Sequence, residues 1–214
     1  MPEELGKIEK PKAEGFKKGR KLYFVPLVFS PPEADEKFQG IFNRYWDEAL
    51  SHLKALQEKL TPAKKIYHEL VAEAGENCPK TIERLNSGSF RIVKDSLGRG
   101  AEIIAVEDAE LLGEFMDWGR CLATGLRSKA VFTLAYESYI KTQEKRNEFI
   151  VRQIDKTLGS EEAGILIMRE GHHLQFPGDI QVFYVSPPAL DEIRRWERGH
   201  EEETARQNEH EKEE

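Results

Sequence analysis

The sequence predicts an α/β protein: a three-layer sandwich with a mostly parallel sheet and long flanking helices. Three observations lead there. Short β-branched and aromatic runs alternate with long amphipathic ones, in the order β-α-β-α-β-α-α-β-β-α. The run Ala163–Met168 is apolar at successive positions, as a strand buried on both faces must be. A chain of 214 residues, a third of them charged, can bury one substantial core beneath solvated helix faces.

The chain divides into three parts. Residues 1–21 are rich in Lys and Glu with little that is apolar, and residues 197–214 are rich in Glu; both are expected to be flexible tails, one basic and one acidic. Residues 22–196 form the single α/β domain. Order begins at Leu22–Phe29, a strand that stops at Ser30-Pro31-Pro32. Pro26 has no N–H to give a ladder, so this strand is expected at a sheet edge or at a bulge. A helix follows with the cleanest period in the chain. Phe38, Ile41, Phe42, Tyr45, Trp46, Ala49, Leu53, Leu56 and Leu60 keep 3–4 spacing, which puts Trp46 and Phe42 in the core. Lys65–Val71 reads as the second strand. Residues 78–88 read as a short helix, and Phe90–Val93 as a minor strand. Ala101–Val106 is the third strand, and Asp108 after it is a helix cap.

The next helix carries Phe115, Met116 and Trp118 on adjacent faces. That is more apolar circumference than one sheet contact uses, and a homodimer through this helix is expected. The helix from Lys129 to Leu158 has a polar middle, Lys141–Glu148. Its apolar phase places Gln143 and Asn147 on the inward stripe with Arg146 beside it. Either these find polar partners inside, or the helix overhangs the domain there and is wet. The fourth and fifth strands, Gly164–Met168 and Ile180–Val185, are separated by too few residues for a helical crossover, which leaves room for one of them to run antiparallel to its neighbour.

Charge and composition exclude several classes. A net charge of −7 opposes non-specific nucleic-acid binding. No apolar run approaches the ~20 residues of a membrane span. The N-terminus has no secretory segment. The two cysteines, Cys78 and Cys121, fit no metal or redox spacing, which points to a reducing cytoplasm.

Candidate chemistry gathers at strand ends, where α/β proteins keep their sites. Glu69, Glu107, Glu170, His172 and His173 follow strands, and Arg146 and Asn147 lie on the helix just upstream. Carboxylates with imidazoles suit Zn²⁺, Mn²⁺ or Fe²⁺, and an arginine can hold a developing anion. Glu69, Arg146 and His172 are the candidate catalytic residues. Glu107, Glu170, His172 and His173 are the candidate ligands of a divalent metal such as Zn or Mn. Ser30 and Ser186, each followed by two prolines and acids, mark helix starts that with Asn147 could bind a ligand.

These pieces distantly resemble the TraB/Tiki and erythromycin-esterase-like superfamily. The likeness rests on Glu69 in His-Glu-Leu, Arg146-Asn147 in Glu-Lys-Arg-Asn-Glu-Phe-Ile, and Gly171-His172-His173 after the fourth strand. It is concentrated in residues 130–185. The first strand departs from the pattern, ending Val28-Phe29-Ser30-Pro31 without a ligand, and the histidines directly follow the glycine. The resemblance implies an α/β fold and metal-assisted hydrolysis of a peptide or ester. A reading from another class stands beside it: a cytoplasmic ligand-binding or scaffolding protein without chemistry, in which Glu170 pairs with a basic neighbour such as Arg169. A variant of that reading holds a small anion at the two helix N-termini. The partner in either case is a small molecule or peptide.

Overall fold

Strand β4 (Ala163–Met168) is buried along its whole length, as its unbroken apolar sequence requires. It lies between β1 (Arg20–Pro26) and β2 (Ala63–His68). The computed structural model describes residues 18–32, 34–171 and 173–213, with side chains as far as residue 200. The expected basic tail therefore lies outside the described residues, save for Lys18–Lys21. Besides β3 (Glu102–Ile104) and β5 (Ile180–Tyr184), the chain forms α1 (Glu36–Lys59), α2 (Cys78–Leu85), α3 (Ser87–Gly98), α4 (Ala109–Ala123), α5 (Lys129–Thr157) and α6 (Pro188–Glu213). The acid-rich segment after Glu197 continues α6 in the backbone.

The strands form one sheet in the order β3-β2-β4-β1-β5, and every neighbouring pair is parallel. This corrects two expectations. β5 does not run antiparallel: it pairs with β1 in register Arg20↔Ile180 to Phe24↔Tyr184. Residues 169–179 connect β4 to β5, with no helix among the described residues, and at about 3.3 Å per extended residue they are long enough to return along the sheet. Arg20 holds the far end of this crossover, its Nε donating to Asp179 Oδ2 at 2.8 Å. Nor does β1 lie at an edge. The Leu27 N–H bonds Met168 O on the β4 side, so Pro26 turns its ring toward β5. There the ladder closes with Val185 N–H to Phe24 O, and the missing donor costs little.

Two helical layers cover the sheet. On one face α1, α2, α3 and α6 enclose a core built around Tyr45, Trp46, Leu53, Ile82, Ile92 and Ile165. Trp46 is 1 % exposed, whereas Phe42 only packs against the edge of this core. On the other face Ile150 and Ile154 of α5 and its capping residue Leu158 meet Leu22, Tyr67, Leu166 and Met168, with Leu174 and Phe176 of the crossover beside them. Gly164 is needed here, because a Cβ would sit 2.7 Å from the Tyr67 ring. Burial pushes the Tyr67 hydroxyl up to about 12, partly offset by its 3.0 Å bond to Thr157 Oγ1.

The segment Phe90–Val93 is helical, not a strand. Asn86 caps α3 by accepting the Ser89 N–H at 2.8 Å, and Ile92, Val93 and Ser96 form its buried face. The wet-overhang reading of Lys141–Glu148 also fails, since Thr142 and Arg146 are buried. The exposed half is the other one: between residues 129 and 141 only Ala135 is buried, and α5 packs chiefly against α4. Phe115 of α4 is not surface either. It is 6 % exposed and stacks on Tyr139, centroids 4.7 Å apart.

Candidate functional site

The carboxyl ends of β2, β3 and β4 deliver three charged residues to one place. Glu69 is the first residue past β2, and strand alternation sends it to the α5 face while His68 turns toward α3. Glu107 follows β3, just before Asp108 caps α4 by accepting from Glu110 N and Leu111 N. Arg169 is the first residue past β4. The fourth member, Arg146, enters from the middle of α5, where the 3.6-residue period turns it inward with Thr142 and Ile150.

Together these side chains form one ion network. Arg146 Nε donates to Glu107 Oε2 at 2.7 Å, and its Nη2 bonds Glu107 Oε1 and, at 3.1 Å, Glu69 Oε1. Arg169 donates its backbone N–H to Glu69 Oε2 at 2.8 Å and its Nη2 to Glu69 Oε1 at 2.8 Å. Leu70 N–H adds a 3.1 Å bond to Glu107 Oε1, which the loop reaches by placing Leu70 at φ 69°. A branched side chain is rarely found there, and the strain is held by the surrounding bonds. Two carboxylates and two guanidiniums balance, as burial demands. Glu69, Glu107 and Arg146 are fully sequestered at side-chain level, whereas the Arg169 side chain is 42 % exposed. Burial alone would lower the Arg146 pKa; its hydrogen bonds and charge pairing with Glu107, then Glu69, more than offset this and raise it. The Phe115 ring closes the network, 4.7 Å from Arg146 Cζ.

The other expected site residues lie elsewhere. Glu170 receives Tyr184 Oη–H and the Arg194 guanidinium, Nε at 3.0 Å, and does not pair with Arg169. Burial would raise its pKa, but Arg194 and Tyr184 hold it below the usual carboxylate range. His172 lies outside the described residues. His173 is exposed and lines a groove between α5 and the crossover. Ser30 Oγ accepts from Gln39 Nε2 at 2.6 Å. The helix starts that Ser30 and Ser186 mark already hold carboxylates of this chain: Asp35 accepts from Phe38 N at 2.7 Å, and Glu48 from Ala189 N at 3.0 Å.

Of the candidate metal ligands, Glu107 and Glu170 are thus engaged by different arginines. Among the described residues no group of three His, Cys, Asp or Glu side chains could hold a metal ion. Glu69, Glu107 and Arg146, grouped as strand-end candidates from the sequence, meet here; Arg169, expected beside Glu170, is their fourth member. The signal for that membership is its place, directly after the most buried strand.

The groove beside His173 has a volume of ≈ 540 Å³. Glu144, Asn147, Glu148 and Arg152 line one wall from α5; His173 and Leu174 line the other. Asn147 Oδ1 is sealed from solvent without a hydrogen-bond partner. A smaller hollow of ≈ 290 Å³ lies between the ends of β1 and β4, bordered by Arg169, Glu170 and Arg194, whose charges are already paired. Comparison with protein-family models, curated proteins and solved structures gives no match. Among the described residues no helix is long and apolar enough to cross a membrane.

Proposed function

We propose that this chain is a ligand-binding protein whose site is the groove between α5 and the 169–179 crossover, and that its ligand bears an amine or a guanidinium. The observation that carries this reading is Asn147. A buried acceptor left unpaired costs ~1–3 kcal/mol, and such a cost ordinarily has a reason. Asn147 lines the groove, and a change of side-chain rotamer that carries the whole amide into it gives Oδ1 a ligand N–H without sealing Nδ2 in its place. Glu144 and Glu148, one helical turn apart on the same wall, supply the opposing charge. The Glu69–Arg146–Glu107–Arg169 network lies behind this wall and fixes α5 against the strand ends. An anionic ligand is less well served, because Asp35 and Glu48 already occupy the two helix N-termini.

Ligand-observed NMR with agmatine, spermidine and short lysine or arginine peptides tests the reading. Binding is expected in the wild type and lost in the Glu144→Gln/Glu148→Gln double variant. Binding of dicarboxylates or phosphates in place of amines would overturn it.

The meeting of Glu69, Glu107 and Arg146 at strand ends supports a second reading, metal-assisted hydrolysis of a peptide or ester, with His172 and His173 as further ligands. Both described carboxylates of that set are neutralised by guanidiniums, which opposes a cation beside them. Stoichiometric zinc or manganese in the purified protein, with ester or peptide turnover that depends on it, would favour this second reading over the first.

A further inference from the structure

The inward stripe of α5 continues past the core. Ile154 and Ile150 sit in the core, and the same helical phase runs on through Ile140, Tyr136 and Phe132. From Thr142 toward the N-terminus the stripe leaves the core, and Phe132 and Tyr136 are 46 % and 50 % exposed. Their rings stack on each other, 6.1 Å apart and 9° from parallel. Met116 on α4 and Val131 and Leu134 on α5 are exposed as well, so most of the large exposed hydrophobics described lie on this one hairpin; Leu134, two residues from each ring, sits on the opposite side of α5, and the centre of the patch is the Phe132–Tyr136 pair. The seam between the two helices is meanwhile closed by Ala135 and by the Phe115–Tyr139 stack, so this exposure is not a packing defect of the hairpin itself. A patch of this kind marks an interaction surface.

We infer that the outer half of the α4–α5 hairpin is a self-association surface, covered by the same hairpin of a second copy of this chain. The charges around the patch select that occupant. On α4 exposed Glu110, Glu114 and Asp117 outnumber Arg120, which pairs with Asp117, and on residues 129–145 of α5 exposed Lys129, Lys141 and Lys145 outnumber Glu137 and Glu144, so α4 is net acidic and the facing part of α5 net basic. A two-fold arrangement lays α4 of each copy over α5 of the other, setting acid against base on both sides of a shared aromatic centre. A uniformly basic or acidic partner would match one helix and repel the other, and an anionic membrane would meet the α4 carboxylates. Two hairpins joined in this way make a four-helix bundle whose core is the exposed stripe.

Sedimentation velocity on the full chain, from low to high micromolar concentration, tests this. A shift from monomer to dimer mass is expected with rising concentration. Phe132→Glu/Tyr136→Glu should weaken association by about tenfold or more, as loss of central aromatics does. The melting temperature of that variant at low concentration should stay that of the wild type, since both side chains are half exposed in the single copy. Lys141→Glu should weaken association, and Glu110→Lys added to it should restore part of the loss. Monomer mass at every concentration overturns the inference, as does a dimer that the Phe132/Tyr136 pair of substitutions leaves intact.

Discussion

Arg146 and Glu107 form a two-pronged ion pair between the middle of α5 and the end of β3, with Nε 2.7 Å from Oε2 and neither side chain touching solvent. The pair ties a helix to a strand end that packs only three residues into the sheet. Because both charges are sequestered, removing one leaves the other uncompensated. Arg146→Met should therefore cost ~3–5 kcal/mol in a denaturant melt, the usual penalty for breaking a buried pair. A loss below about 1 kcal/mol would show that water reaches the network in solution.

Arg169 contrasts with it. Its guanidinium also meets Glu69, yet the side chain is 42 % exposed, and Glu69 keeps Arg146 and the Arg169 backbone N–H when the side chain goes. Arg169→Ala should cost about 1 kcal/mol or less, in line with solvent-screened pairs. A cost equal to that of Arg146→Met would mean that the network is one cooperative unit and not a buried pair with an exposed addition.

Much of this site could be read in the sequence for a simple reason. A polar residue in phase with an apolar stripe, as Arg146 nearly is, needs a partner inside, and Glu69 and Glu107 were the acids beside buried strands. Arg169 is different: the sequence offers its chain neighbour Glu170 as a partner, but successive side chains leaving a strand point to opposite sides, so Arg169 turns to Glu69 and Glu170 to Arg194. The α3 segment was misread for a separate reason: Phe-Arg-Ile-Val suits a short strand and a buried helix turn equally. Asn86, which decides between them, both ends α2 and caps α3, so one residue closes a helix and starts the next. The parallel crossover 169–179 was hidden as well, since nothing local distinguishes a loop that returns along a sheet from a hairpin.

Gly88 records how closely α3 approaches α1. A Cβ at this position would lie 2.2 Å from Cδ1 and Nε1 of Trp46, on a ring that is 1 % exposed. Gly88→Ala must displace the indole or the helix, at a cost of ~1–3 kcal/mol for an overpacked core, although alanine is the better helix former. Trp46→Ala empties the same position and should cost ~3–5 kcal/mol. Denaturant melts of the two variants give these values. A Gly88→Ala protein as stable as the wild type would place the two helices further apart than described.

His68 should make stability fall on mild acidification. Its ring lies between α3 and the strand end, Nδ1 2.5 Å from Glu69 O and Nε2 2.9 Å from Ser89 Oγ. As a neutral ring it donates from Nδ1 to the carbonyl, and its Nε2 meets the Ser89 hydroxyl, whose one proton is shared between Nε2 and Asn86 O, 3.0 Å away. Burial holds its pKa below the ordinary histidine value, an effect the Glu69 carbonyl and carboxylate only partly offset. The unfolded chain therefore binds the proton more readily than the folded one. Unfolding free energy must then rise with pH across the window below the ordinary value of about 6.5 and be lost as pH falls through it. Acidic groups such as Glu170 contribute a loss of the same sign at lower pH. The informative measurement is consequently the difference between the wild type and His68→Gln, which keeps a donor and an acceptor but cannot titrate. Between neutral pH and pH ~5 the wild type should lose stability more steeply than His68→Gln. Parallel pH profiles for the two proteins would mean that His68 titrates as it does in the unfolded chain.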